Sequence, residues 1–139
     1  MSLIMRGFAS LFGGLVSVLA LQSCTTPAGA PGPLAGTQWQ ILRVDGVPSA
    51  APDKARLAFD AERISANVGC NGMGGSYRLD GGRVITGPLI ATQMFCDGAV
   101  WDQEQAVSAL LAGAPSFEQR GADLRLKSAG HEVEARRLD

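Results

Sequence analysis

The chain predicts a mainly β (α+β) fold: a small, curved, antiparallel, barrel-like sheet with one helix inserted late. Three observations carry this. Seven or eight short stretches between Gly36 and Arg137 alternate apolar with polar residues or gather β-branched ones, as half-buried strands do. Turn residues separate them at Asp45-Gly46, Asp80-Gly81-Gly82, Gly121 and Ala129-Gly130, as hairpins require. One stretch alone, Trp101–Leu111, abandons the two-residue rhythm for helical spacing. Many short strands around a single helix must curve to hide their edges.

Taken in order, Trp39, Ile41 and Val44 with polar residues between them form a first strand, closed by the Asp45-Gly46 turn. Pro48–Lys54 is a loop. Arg56–Asp60, with Leu57 and Phe59 inward, and Arg63–Val68 are the arms of a hairpin. Val68–Tyr77 holds four glycines in ten residues and reads as a bend, where the backbone takes positive φ or passes close to another segment. Tyr77–Leu79 and Arg83–Ile85 make a second hairpin, and Pro88–Met94 is extended. In the helix, Trp101, Gln105, Ala106, Ala109, Leu110 and Ala112 recur at helical spacing. Asp102 and Glu104 stand near its start, where carboxylates complement the helix dipole, and Gly113 is its stop. Ser116–Gln119, Leu124–Lys127 and Glu132–Arg137 return the chain to strands.

Ahead of this domain, residues 1–23 have the order of an export signal. Arg6 supplies a short positive region, and Phe8–Leu21 is an apolar run too short for an ordinary membrane-spanning helix. It ends in Leu21-Gln22-Ser23-Cys24, which resembles a bacterial lipobox and makes Cys24 the expected site of lipidation. Thr25 after the cysteine favours the outer membrane by resemblance to enterobacterial sorting. Residues 24–35 form a Pro/Gly/Ala tether of roughly 17–20 Å. The domain itself is expected at 36–139, in the periplasm and monomeric, with the lipid anchor as its membrane contact.

Composition narrows the chemistry. A formal net charge of -1 leaves no basic field for nucleic acid. One His and three Cys give little material for acid–base or metal work, so no catalytic residue, metal or cofactor is expected. Neither Ser76 nor Ser108 lies in a nucleophile-elbow sequence. If Cys24 is acylated, Cys70 and Cys96 remain to pair; two reduced thiols or a redox-active pair are the alternatives. A soft-metal set of Cys70, Cys96, His131, Met73 and Met94 matches no compact ligand spacing. Asn71 reads as a turn-supporting residue, and Glu104 and Arg125 as surface or barrel-rim charges.

Gly36-Thr37-x-Trp39, Gly69-Cys70-Asn71 followed by Gly74-Gly75-Ser76-Tyr77, Thr92-x-Met94-x-Cys96, Glu104 in a helix and Leu124-x-Leu126 together resemble the META domain. The resemblance covers roughly residues 36–138 and extends to the HslJ-like lipoproteins of that family. It implies a calycin-like barrel with a helix and no enzymatic activity. It also implies association with heat shock, novobiocin resistance or, in other members, motility or virulence. The chain departs from the family pattern at Gly72-Met73-Gly74, where a larger polar or aromatic pair is usual, and at Gln93, where arginine is commoner. The expected function is therefore binding by an envelope lipoprotein, with an envelope protein as a possible partner. The alternative is a barrel that holds a small ligand or inhibits an envelope hydrolase. The expected binding surface is an exposed bend at Asn71, Gly72, Met73, Gly74 and Gly75, joined by Asp97 and the loop to Val100.

Overall fold

Residues 32–139 are described by a computed structural model. Residues 1–23, Cys24 and most of the tether lie outside the described residues. Ten strands and one helix follow in order: β1 (Thr37–Val44), β2 (Val47–Pro48), β3 (Arg56–Phe59), β4 (Arg63–Asn67), β5 (Gly72–Asp80), β6 (Arg83–Thr86), β7 (Ile90–Ala91), α1 (Gly98–Ala112), β8 (Ser116–Arg120), β9 (Asp123–Ser128) and β10 (His131–Leu138). Eight of the strands close a barrel, β1-β3-β4-β5-β6-β8-β9-β10 and back to β1, all antiparallel. Each of the two short strands has one partner, β2 on β1 and β7 on β5.

Eight strands leave an interior just wide enough for side chains. Here Trp39, Ile41, Leu57, Phe59, Ile64, Val84, Leu124, Leu126 and Val133 are buried in one contiguous core. Phe59 and Tyr77 meet edge to face, centroids 5.2 Å apart, a geometry aromatic quadrupoles favour. Strict alternation would turn Val44 outward after Ile41. Instead the register against β10 slips between Ile41 and Arg43, Leu42 is left partly exposed, and Val44 returns to the core. This is the work of a β-bulge, which resets the inward face with one extra residue.

The hairpins lie where the sequence places them, and α1 is longer than expected by three residues at its start and one at its end. Two expectations are corrected. Leu34, assigned to the tether, is fully buried, the Thr37 hydroxyl donates to its carbonyl, and Gly36 N–H donates to Phe59 O at 2.7 Å. The folded unit therefore includes the last residues of that stretch. The helix also buries only part of its expected set: Ala106 and Leu110 point inward with Gln103, Glu104, Val107 and Leu111, while Trp101, Gln105, Ala109 and Ala112 are exposed. The packing surface of β1, β6, β9 and β10 selects the face richest in large aliphatics, and the Trp–Ala stripe is turned away.

Candidate functional site

The Gly69-Cys70-Asn71 turn links the end of β4 to β5. Gly69 has φ +128°, and a Cβ there would stand 2.5 Å from Ala51 Cβ; no other residue fits. The glycines beyond it do not bend. Gly72–Gly75 open β5, and Gly74 and Gly75 are glycines because neighbouring backbone comes close: a Cβ on Gly74 would lie 2.8 Å from Ile64 O, and one on Gly75 2.7 Å from Pro88 O.

Asn71 is 2% exposed. Its main-chain N–H and its Nδ2 each donate to the Glu104 carboxylate at 2.9 Å. Its Oδ1 accepts from Met94 N–H at 2.7 Å and from the Thr92 hydroxyl at 2.9 Å. Nδ2 also donates to Met94 O at 3.1 Å. The amide thus pairs with the main chain of Met94 as a strand neighbour would, and every donor and acceptor it owns is used. Cys70 and Cys96 are joined by a disulfide, Cα atoms 6.3 Å apart. Covalent bond and polar network together fasten the segment Thr92–Asp97 to the start of β5.

Glu104 is 5% exposed. It is matched on the helix by Gln103, whose Oε1 accepts from Ala50 N–H and whose Nε2 donates to Pro48 O, both at 2.9 Å. Two adjacent polar residues therefore hold two loops, one on each side of the helix start. No ion pair among the described residues involves Glu104. Its carboxylate rests on the two N–H donors of Asn71, and hydrogen bonds to a charged acceptor are the stronger kind.

Beside this fastening runs a groove of about 480 Å³ between the Ala91–Phe95 segment and α1, walled by Met73, Met94, Phe95, Trp101, Gln105 and Ser108. Its rim is apolar and uncovered: Phe95 is 92% exposed, Met94 57% and Trp101 41%.

The pattern that defines the META domain matches residues 32–139. The chain belongs to the META domain family. Two solution NMR structures share the fold of this META domain. One superposes with a TM-score of 0.67 at 20% identity, over 77% of this chain and 93% of the other. The second, a protein from Burkholderia xenovorans, gives 0.60 at 25% identity, over 76% and 83%. No curated protein matches the sequence. Neither the family nor the barrel is known for catalysis.

In this META domain the expected exposed bend is not one. Asn71 and Met73 are buried, Gly75 is buried within β5, and Gly72 and Gly74 are half-covered. The other part of the expected surface is exposed: Asp97, which precedes α1 without a side-chain capping bond, and Gly98 and Ala99 after it. The physical reason for the burial is that the glycines admit neighbouring backbone instead of exposing their own. Glu104, expected as a surface or barrel-rim charge, is buried as well. Its signal was present in the sequence: Glu104 stands three and seven residues before Val107 and Leu111, on the helix face that is buried. Arg125 is a surface charge, bridging Glu132 and Glu134 at 3.0 and 3.1 Å.

Among the described residues, Cys70, Cys96 and Glu104 bring ligand-type atoms within 4.8 Å of one another. The two sulfurs are bonded to each other, so they offer no thiolate. His131 is elsewhere: Nδ1 lies 2.7 Å from Asp45 Oδ2, tying the β1–β2 turn to the start of β10. Burial pushes the Asp45 carboxyl up. The His131 hydrogen bond, the Glu132 N–H and the pull of the imidazole outweigh it and hold the carboxyl below its ordinary value. Tyr77 is shifted the other way, raised by burial first and by Asp60 second, while its hydroxyl donates to Asp60 O at 2.9 Å.

Proposed function

We propose that this chain is a non-enzymatic envelope lipoprotein of the HslJ type, anchored to the outer membrane through Cys24. It serves a stress response or novobiocin resistance by binding a protein through the Ile90–Trp101 surface. The observation that carries the reading is the exposed apolar pair Met94 and Phe95, on a segment that the disulfide and Asn71 fasten, facing the exposed Trp101 of α1 across the groove. Exposed apolar groups gathered on a fixed loop are characteristic of contact sites. The tether supports it. Gly32 packs against Leu79, near the far end of β5 from Gly72, so an anchored chain would present the groove away from its point of attachment. A ligand held inside the barrel has less support, because Trp39, Phe59 and Leu126 fill the interior.

The test has two parts. Cys24→Ser should release the protein from the membrane fraction or leave it unprocessed; unchanged processing and fractionation would remove the anchor. Phe95→Ser with Trp101→Ser should leave the denaturant midpoint nearly unchanged and abolish complementation of a deletion strain under heat or novobiocin. Full complementation by the folded double variant would remove this surface as the site.

A further inference from the structure

The groove beside α1 has a neighbour of different character. β7 separates it from a trough of about 520 Å³ on the outer face of β3, β4 and β5, and Ala91 and Thr92 line both. Strand register builds the trough in rows. Ala58 pairs with Ser65, Ser65 with Gly74 and Gly74 with Ile90, so the middle row stays small until Ile90, 77% exposed, ends it as a wall. On one flank Arg56 pairs with Asn67. On the other stands Arg63, opposite Ser76. Arg63, Ser65 and Asn67 are alternate residues of β4 and share its outer face, over a span of about 13 Å. This line offers donors. Asn67 Oδ1 accepts Gly69 N–H at 2.7 Å, which leaves Nδ2 to the trough, and Arg56 spends Nη1 alone, on Pro52 O and Ala55 O. Among the described residues no ion pair involves Arg56 or Arg63; the pairs lie on β5, on β8–β10 and at the β1–β2 turn. The acids nearest in sequence, Asp53, Asp60 and Glu62, line no part of the trough. Two guanidinium groups therefore stand in it that no carboxylate answers.

We infer that the trough binds an acidic, extended segment of the partner protein, its carboxylates set along β4 against Arg63, Ser65, Asn67 and Arg56. Guanidinium, amide and hydroxyl donors call for a ligand that only accepts, and an ionised carboxylate does so. Carboxylates on alternate residues of an extended chain recur at the spacing of alternate residues on β4. The small middle row lets that chain lie close to the sheet. One partner then covers both sides of β7, apolar against Phe95 and Trp101 and acidic against β4, and the apolar side favours a protein over a polyanionic glycan. This inference rests on the proposed binding surface and names the chemistry of its partner.

The test titrates the purified full chain with acetyl-Glu-Ser-Glu-Ser-Glu-amide, with the same peptide carrying Lys for Glu, and with an oligogalacturonate of matching charge. Backbone amide and arginine Nε–Hε shifts in NMR spectra are the readout. The acidic peptide should shift Ser65, Gly74 and Arg63, and the basic one should not. Arg63→Glu changes an exposed residue outside every ion pair described. It should weaken the acidic peptide by about fivefold or more and make the basic peptide the better ligand, a reversal that a loosened fold does not produce. Equal shifts by the two peptides, no shift at any soluble concentration, or an Arg63→Glu chain that keeps its preference would overturn the inference. Tighter binding of the oligogalacturonate than of the acidic peptide would assign the trough to a glycan and overturn it too. In cells, failure of the Phe95/Trp101 variant beside full complementation by Arg63→Glu would leave the apolar surface standing and remove the acidic partner. Full complementation by the Phe95/Trp101 variant would remove that surface itself, and the shared partner with it.

Discussion

The carboxylate of Glu104 accepts both the main-chain and the side-chain N–H of Asn71, each at 2.9 Å, with both residues at least 95% buried. Glu104 lies in the helix and Asn71 at the start of β5, so this contact fixes the helix against the barrel. Glu104→Gln replaces one acceptor oxygen by a donor facing a donor, and should cost about 1–3 kcal/mol. Asn71→Asp sets carboxylate against carboxylate and should cost more. The Glu104→Gln/Asn71→Asp double variant should recover part of the loss, since the introduced amide can then donate to the introduced carboxylate. Urea unfolding of the four proteins as a double-mutant cycle reads the coupling; strict additivity would show that the two residues act independently.

The Cys70–Cys96 bond closes a loop across a sequence separation of 26. On the loop-entropy account it contributes ~3–4 kcal/mol, and its removal in Cys70→Ala/Cys96→Ala should lower the denaturant midpoint accordingly. Non-reducing peptide mapping of the protein purified with its thiols blocked should recover one cross-linked fragment pair. Two thiols alkylatable after denaturation without reductant would end this prediction.

Stability should fall at both ends of the pH scale for different reasons. The Asp45 carboxyl is held below its ordinary value, so its contribution is fully present above the unfolded value and is lost as pH falls through the folded one. His131→Ala should therefore blunt the acid limb, modestly, because Asp45 is 39% exposed. Tyr77 is raised; its contribution is fully present below the unfolded value and is lost as pH climbs through the folded one. Tyr77→Phe should cost about 0.5–1.5 kcal/mol at neutral pH through the lost bond to Asp60 O and flatten the alkaline limb. Urea midpoints from about pH 3 to pH 11 check both signs.

Two glycine substitutions separate backbone strain from steric exclusion. Gly46 has φ +77° and nothing within 4 Å of where a Cβ would stand, whereas Gly69 has φ +128° and Ala51 Cβ at 2.5 Å from that position. Gly46→Ala should cost about 1 kcal/mol and Gly69→Ala about 2–5 kcal/mol. Equal midpoints for the two variants would show that the Ala51 contact yields freely.

Local rules were sufficient for the hairpins, because a glycine turn between alternating strands is decided within a short span of chain. Leu57, Phe59 and Ile64 read inward and are inward. The helix was legible as a helix, but its buried face was not. The stripe through Trp101 and Gln105 is as periodic as the one through Val107 and Leu111, and only the shape of the barrel end chooses between them. The exposure expected of the glycine stretch failed for a related reason. Gly72–Gly75 announce close approach as readily as a bend, and the partners they approach, Ile64 O and Pro88 O, are set by tertiary register. Glu104 and Asn71 both belong to the family motif, yet nothing in one dimension joins two residues that are 33 apart.

The ring of strands is unevenly sewn. β1 and β10 share six paired positions, but β6 and β8 share only Arg83 with Ser116, helped by Val84 N–H to Pro115 O and Phe117 N–H to Gly82 O. α1 covers this seam, with the Thr86 hydroxyl donating to Leu111 O and that of Ser128 to Leu110 O. The fold thus divides into a tightly laced panel and a hinged flap, and sub-global opening should begin at the seam. Amides of β6 and β8 would then exchange well before those of β1 and β10. A partner seated against α1 would act as a latch on that flap, slowing the breathing of strands it never touches.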